Sequence, residues 1–236
     1  MAWSLGWRAF ALLAMNRWGV FRKTAGRCSP PLFSWGHCPW RGTESFLDPE
    51  MKAFLEANTE VTRSGSLTPE IQLRLLTPRC KFWWERADRW PHGDPYWAIY
   101  WPGGQALSRY FLDNPDIVRG KSVLDLGSGC GATAIAAKMS GASRILASDI
   151  DPNKWDLVVL GDMFYDEHLA DSLHQWLKNC FRAHRTRVLI GDPGRPQFSG
   201  HSIRHQLHKV VEYSLPETTR QENNGLTTST VWDFQP

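Results

Sequence analysis

The stretch that most constrains this chain runs from residue 121 to residue 151. Residues 121–126 form a short apolar run of strand type, and Gly127-Ser-Gly-Cys-Gly131 follows at once. Residues 132–140 are Ala-rich and predict a helix, with Gly141 placed to end it. A second apolar run, residues 144–148, leads into Asp149-Ile-Asp151. A strand, a glycine turn, a helix and an acid-tipped strand make a βαβ unit of the nucleotide-binding kind.

The glycines and the acids together narrow the ligand. Gly127, Gly129 and Gly131 let backbone approach a ligand at distances that a Cβ would block. Dinucleotide sites space their glycines G-x-G-x-x-G, so that a helix N-terminus meets a pyrophosphate. Here the spacing is G-x-G-x-G, and Asp125 precedes it. An acid in the turn repels a pyrophosphate but attracts the amino group of an amino-acid ligand. Asp149 stands where an acid hydrogen-bonds ribose hydroxyls. The combination points away from NAD and towards S-adenosylmethionine.

The remaining punctuation predicts further elements. Asp48-Pro49 and Thr68-Pro69-Glu70 each read as a helix start, for helices to about residue 57 and over 71–76. Residues 77–95 read as irregular chain. Pro102-Gly-Gly104 opens a helix through residue 112, and residues 155–160 and 187–190 read as buried strands. Between those strands, Leu169, Leu173, Trp176, Leu177 and Cys180 mark one stripe of an amphipathic helix. A helix near 202–208 precedes a strand over 210–215. A polar turn at 217–225 leads to an outer strand over 227–234, paired antiparallel with the one before it. Asp192-Pro-Gly-Arg195 reads as a turn.

Charge divides the chain. Its formal net charge is +3, but residues 1–43 carry six basic residues and no acid, leaving a net of −3 on the rest. That leader has the composition of a mitochondrial transit peptide, so matrix localisation is expected. The acidic body argues against a nucleic-acid partner. No apolar run approaches the roughly 18 residues of a membrane span. Five scattered cysteines without a C-x-x-C pair predict free buried thiols and no metal site. His201, His205 and His208 at i, i+4 and i+7 predict a solvated helix face. The expected organisation is a leader over 1–43, an N-terminal helical extension over 44–96 and a catalytic domain over 97–236.

Val123-Leu-Asp-Leu-Gly-Ser-Gly-Cys-Gly131 resembles motif I of the class I S-adenosylmethionine-dependent methyltransferases. Asp162-Met-Phe-Tyr165, after an apolar strand, resembles the D-x-x-Y signature of the seven-strand protein-lysine methyltransferases. Trp97-Ala-Ile-Tyr-Trp-Pro-Gly-Gly104 resembles an aromatic segment of that same group. The likeness covers residue 44 to the end. It implies an α/β fold, a Rossmann-like seven-strand sheet with an antiparallel pair at the C-terminus, and a protein substrate. It further implies that Asp125 binds the methionine amino group, Gly127 and Gly129 line the cofactor, and Asp149 holds the ribose. Trp101 and Gly161 would border the cofactor, and Asp162 and Tyr165 would shape the lysine channel as the catalytic pair.

The sequence departs from that group at one place. Between the acid-tipped strand and the strand leading to Asp162, the fold calls for a helix and an edge strand, on the order of 30 residues. Here five residues separate Asp149 from Trp155. The chain would return a strand length of roughly 17–20 Å and shift two strand spacings, about 10 Å. Six Cα steps reach at most about 21 Å. The sheet is therefore expected to be incomplete, with a strand displaced or 144–149 out of its usual place.

Overall fold

A computed structural model describes residues 49–86, 89, 96–148 and 155–236. All lie in one compact unit, Asp48–Pro236. The leader and Asp149 fall outside the described residues.

The unit opens with helix α1 (Pro49–Asn58) and a two-stranded antiparallel hairpin, β1 (Glu60–Thr62) and β2 (Leu73–Leu75). The helix expected over 71–76 is thus a strand. Ile71, Leu73 and Leu75 are buried while Arg74 between the two leucines is exposed. That alternation has a period of two, and it overrides the proline cap signal before it.

Helix α2 (Pro102–Asp113) follows, and then the main sheet: β3 (Ser122–Leu126), helix α3 (Ala132–Met139), β4 (Arg144–Ser148), β5 (Leu157–Gly161), helix α4 (Glu167–His184), β6 (Arg187–Asp192), the short helix α5 (Pro196–Ser199), β7 (Leu207–Ser214), helix α6 (Glu217–Glu222) and β8 (Thr228–Phe234). The six strands lie in the order β4-β3-β5-β6-β8-β7. The first four are parallel, and β8 runs antiparallel to both β6 and β7. The α/β class, the parallel sheet and the C-terminal antiparallel pair are as the sequence implies, and among the described residues the sheet is one strand short of seven.

Strand alternation splits the core into two layers. Val123, Val159 and Leu189 point to one face, where α2 and α3 supply Ala106, Leu107, Phe111 and Ala136. Leu124, Leu160 and Ile190 point to the other, against Ala170, Leu173 and Leu177 of α4. Parallel strands buried on both faces require such unbroken apolar runs.

Five further expectations are corrected. Strand β8 is internal, because β6 and β7 flank it. Residues 202–206 form a 3-10 turn, after which β7 begins at Leu207. The three histidines therefore share no helix face: His201 Nδ1 accepts the Ile203 N–H at 3.1 Å and Nε2 lies 3.1 Å from Asp171. The stretch read as a polar turn contains α6. The expected displacement of a strand around the short linker does not occur either, since β3 pairs with β4 on one side and β5 on the other.

The linker is long enough because the strands it joins are short, five residues each. Ser148 lies opposite Leu126 and Leu157 opposite Val123. The return is therefore three residues along the sheet and two strand spacings across, roughly 14 Å in a straight line. Nine Cα steps from Ser148 to Leu157 span up to about 30 Å. Trp155, only 2% exposed, packs with Leu124 and Leu126 on that face. The Arg144 guanidinium lies 4.3 Å from its ring centroid.

Candidate active site

The site forms at the C-terminal ends of the parallel strands, where α2 meets the glycine turn. Such ends are where open α/β sheets bind ligands. Gly127, Gly129 and Gly131 have φ of +66°, +52° and +76°, a region costly to residues with a Cβ. The turn thereby folds back over β3 and delivers Ala132 to the start of α3. One cleft is lined by Tyr100, Trp101, Gly104, Asp125, the 127–130 turn, Thr133 and Gly161. Five of the six expected cofactor residues thus surround a single space: Trp101, Asp125, Gly127, Gly129 and Gly161. Asp149 lies outside the described residues.

Asp125 is 2% exposed, and its Oδ2 accepts the Ala134 N–H at 3.1 Å. Burial pushes its carboxyl up to about 7, against smaller opposing pulls from the Ser128 hydroxyl and the Ala134 N–H. No cation among the described residues bears on it. The turn is open at two of its glycines: a Cβ on Gly131 would meet nothing within 4 Å, and one on Gly129 would come no nearer than 3.8 Å to Trp97 O, whereas at Gly127 the Met163 sulfur fills the place a Cβ would take. A buried acid without a cation among the described residues, beneath a glycine turn open at Gly129 and Gly131, fits the amino-acid end of S-adenosylmethionine. Cys130 beside it is a free thiol pushed by burial up to about 12, so it stays protonated.

Close backbone contact fixes the wall opposite the turn. A Cβ on Gly103 would overlap Gly191 O, and one on Gly161 would come within 2.8 Å of Gly104 N. The amino end of α2 therefore rests directly on the ends of β5 and β6. Trp101 precedes it in extended conformation, with its indole Nε1–H donating to Tyr96 O at 3.0 Å.

The expected catalytic pair is placed differently from the cleft lining. Asp162 has a left-handed φ of 58° and is 5% exposed. Its Oδ2 accepts the Gly103 N–H, inside the first turn of α2, and its Oδ1 accepts from Arg195 Nε at 2.6 Å. Burial raises its carboxyl above the usual range, and Arg195 with the Gly103 N–H oppose that shift. Asp162 does not cap the helix that follows it; Asp166 does, by accepting the Leu169 N–H at 3.0 Å. Tyr165 is half-buried in the same loop.

Two residues of the Asp192-Pro-Gly-Arg195 turn belong to this corner. Asp192, 1% exposed, accepts the Gly194 and Arg195 N–H groups at 2.7 and 2.9 Å. Burial, with Asp162 nearby, pushes it up to about 7. Arg195 reaches back across 33 residues to Asp162, a span over which sequence carries no pairing signal. Tyr100, Gly104 and Thr133 were also unassigned. They flank the aromatic segment and the glycine turn, where proximity to those motifs was the available signal.

Among the described residues no cluster of His, Cys, Asp or Glu could hold a metal ion, and no helix is long and apolar enough to cross a membrane.

Comparison with known proteins agrees with this geometry. A profile described as ribosomal protein L11 methyltransferase (PrmA) matches residues 105–155, which run from within α2 through the glycine turn to beyond β4. The chain is 71% identical over 266 positions to the electron transfer flavoprotein beta subunit lysine methyltransferase of Homo sapiens, covering 100% of both chains. It is 65% identical over 266 positions, again with 100% of both covered, to the protein of the same description from Rattus norvegicus. The chain has 236 residues, so at least 30 of those positions have no counterpart in it.

Proposed function

Because the chain belongs to the family of electron transfer flavoprotein beta subunit lysine methyltransferases, we propose that it methylates lysines of that flavoprotein subunit in the mitochondrial matrix. The observation that carries this reading is Asp125, a buried acid with no cation against it among the described residues, set under a glycine turn that is open at Gly129 and Gly131.

S-adenosylmethionine, when bound, supplies a methyl group on a sulfonium for attack by an amine. The chain's own residues do the rest. Asp125 offers a charge partner to an ammonium group at the glycine turn, and Gly127 and Gly129 keep side chains out of its way. Asp149, by its place after β4, would hold ribose hydroxyls. Trp101 and Gly161 border the cleft and exclude water from it. A lysine amine attacks only when neutral, and attack needs alignment along the bond that breaks. Asp162 and Tyr165 orient that amine and stabilise the positive charge that grows on it. No covalent protein intermediate is required, so Cys130 has no part.

The acid-free basic leader supports import. A fluorescent reporter fused to residues 1–43 is expected to enter mitochondria, and a diffuse cytosolic signal would reject that localisation.

The missing 30 or more positions favour a second reading, in which this chain is a non-catalytic form that at most binds the substrate protein. Calorimetry of the purified chain with S-adenosylmethionine separates the two. Saturable binding that is abolished in Asp125→Ala supports the enzyme; no heat at millimolar cofactor supports the inactive form.

A further inference from the structure

The turn Asp192-Pro-Gly-Arg195 has no role in the mechanism above, yet its arginine holds the acid that the mechanism uses. We infer that Arg195 is a positioning residue acting through Asp162, which it fixes against the amino end of α2. The inference rests on the reading that Asp162 orients the substrate amine.

Three elements converge on one carboxylate. Asp162 follows β5 directly, and its own N–H donates to Gly191 O of β6 at 2.9 Å. Its Oδ2 takes the Gly103 N–H of α2, and its Oδ1 takes Arg195 Nε at 2.6 Å. The two side chains are 4% and 21% exposed, so solvent screens the pair weakly. A buried carboxylate without a cation takes up a proton and loses its charge. Arg195 opposes that, and its planar fork also fixes the angle of the carboxylate, which a lysine would do less well.

Arg195 is itself held. Asp192 Oδ1 accepts the N–H groups of Gly194 and Arg195 and so shapes the turn. The Arg195 guanidinium carbon lies 5.4 Å from the Trp101 ring centroid, within cation–π range. One side chain thus links the D-x-x-Y loop, the aromatic wall and the turn after β6. The charged groups bearing on Asp162 are Arg195 and Asp192.

A double-mutant cycle on methyl transfer tests the dependence. Arg195→Gln is expected to lower kcat by roughly tenfold or more, with the KM for cofactor changed by less than about threefold. Arg195→Lys should recover part of the loss. Asp162→Asn with Arg195→Gln should lose no more than Asp162→Asn alone. An additive loss, or an Arg195→Gln enzyme as fast as the parent, would overturn the inference. If the parent chain transfers no methyl, the functional reading fails by itself. Carbon-13 carboxyl NMR then decides this one: Asp162 should titrate more than about one pH unit higher in Arg195→Gln, and an unchanged titration overturns it.

Discussion

At Asp125 the chemistry of the site and the stability of the fold meet in one side chain. An aspartate ordinarily titrates near 3.8, and burial moves Asp125 up to about 7. Between those values the folded chain holds more protons than the unfolded one. The Asp125 contribution to stability is therefore fully present below about 4 and is lost as pH rises towards 7. Asp192 shifts the same way, but it is present in both members of a comparison with Asp125→Asn. Urea unfolding should therefore show Asp125→Asn gaining on the parent chain between about pH 4 and about pH 7. A constant difference across that range would mean that burial does not control the acid. A second residue-scale expectation concerns Gly103, whose added Cβ would overlap Gly191 O, a backbone atom that cannot swing aside. Gly103→Ala should cost about 2–3 kcal/mol in denaturant unfolding and weaken cofactor binding with it.

The elements around the short linker depend on Trp155. It fills the face of β3 beside Leu124 and Leu126, with Arg144 of β4 over its ring. Trp155→Ala should lower unfolding free energy by about 3–4 kcal/mol, and β4 amides should lose exchange protection first. If β3 and β4 kept equal protection, Trp155 would not be what holds the edge strand. This is also the scale at which sequence was most and least legible. The run from β3 through α3 to β4 was readable because glycine geometry, apolar period and strand length all agree there. The second strand of the N-terminal hairpin was misread because Thr68-Pro69-Glu70 imitates a helix cap, while the deciding partner, Glu60–Thr62, lies elsewhere in the chain. The linker was misjudged because the span it must cover depends on where β4 ends and β5 begins, and pairing in the sheet sets both. Asp125 and the glycines were legible as a site because their chemistry is local. The partners of Asp162 were not, since Gly103 and Arg195 approach it only through the fold.

At the scale of the molecule, a sheet of six strands keeps the cleft-bearing ends of β3 and β5 side by side, although 30 or more positions of its relatives have no counterpart. The link of five residues between Asp149 and Trp155 is where sequence analysis expects a further helix and edge strand. Inserting a helix and strand after Asp151 should therefore raise the melting temperature and tighten cofactor binding without creating the site anew. The most direct measurement is mass spectrometry of electron transfer flavoprotein beta subunit incubated with isotopically labelled S-adenosylmethionine and the folded chain, beside Asp125→Ala. Labelled methyl groups on lysines, absent with Asp125→Ala, are the expected result. A folded, cofactor-binding chain that leaves those lysines unlabelled would contradict the proposed function.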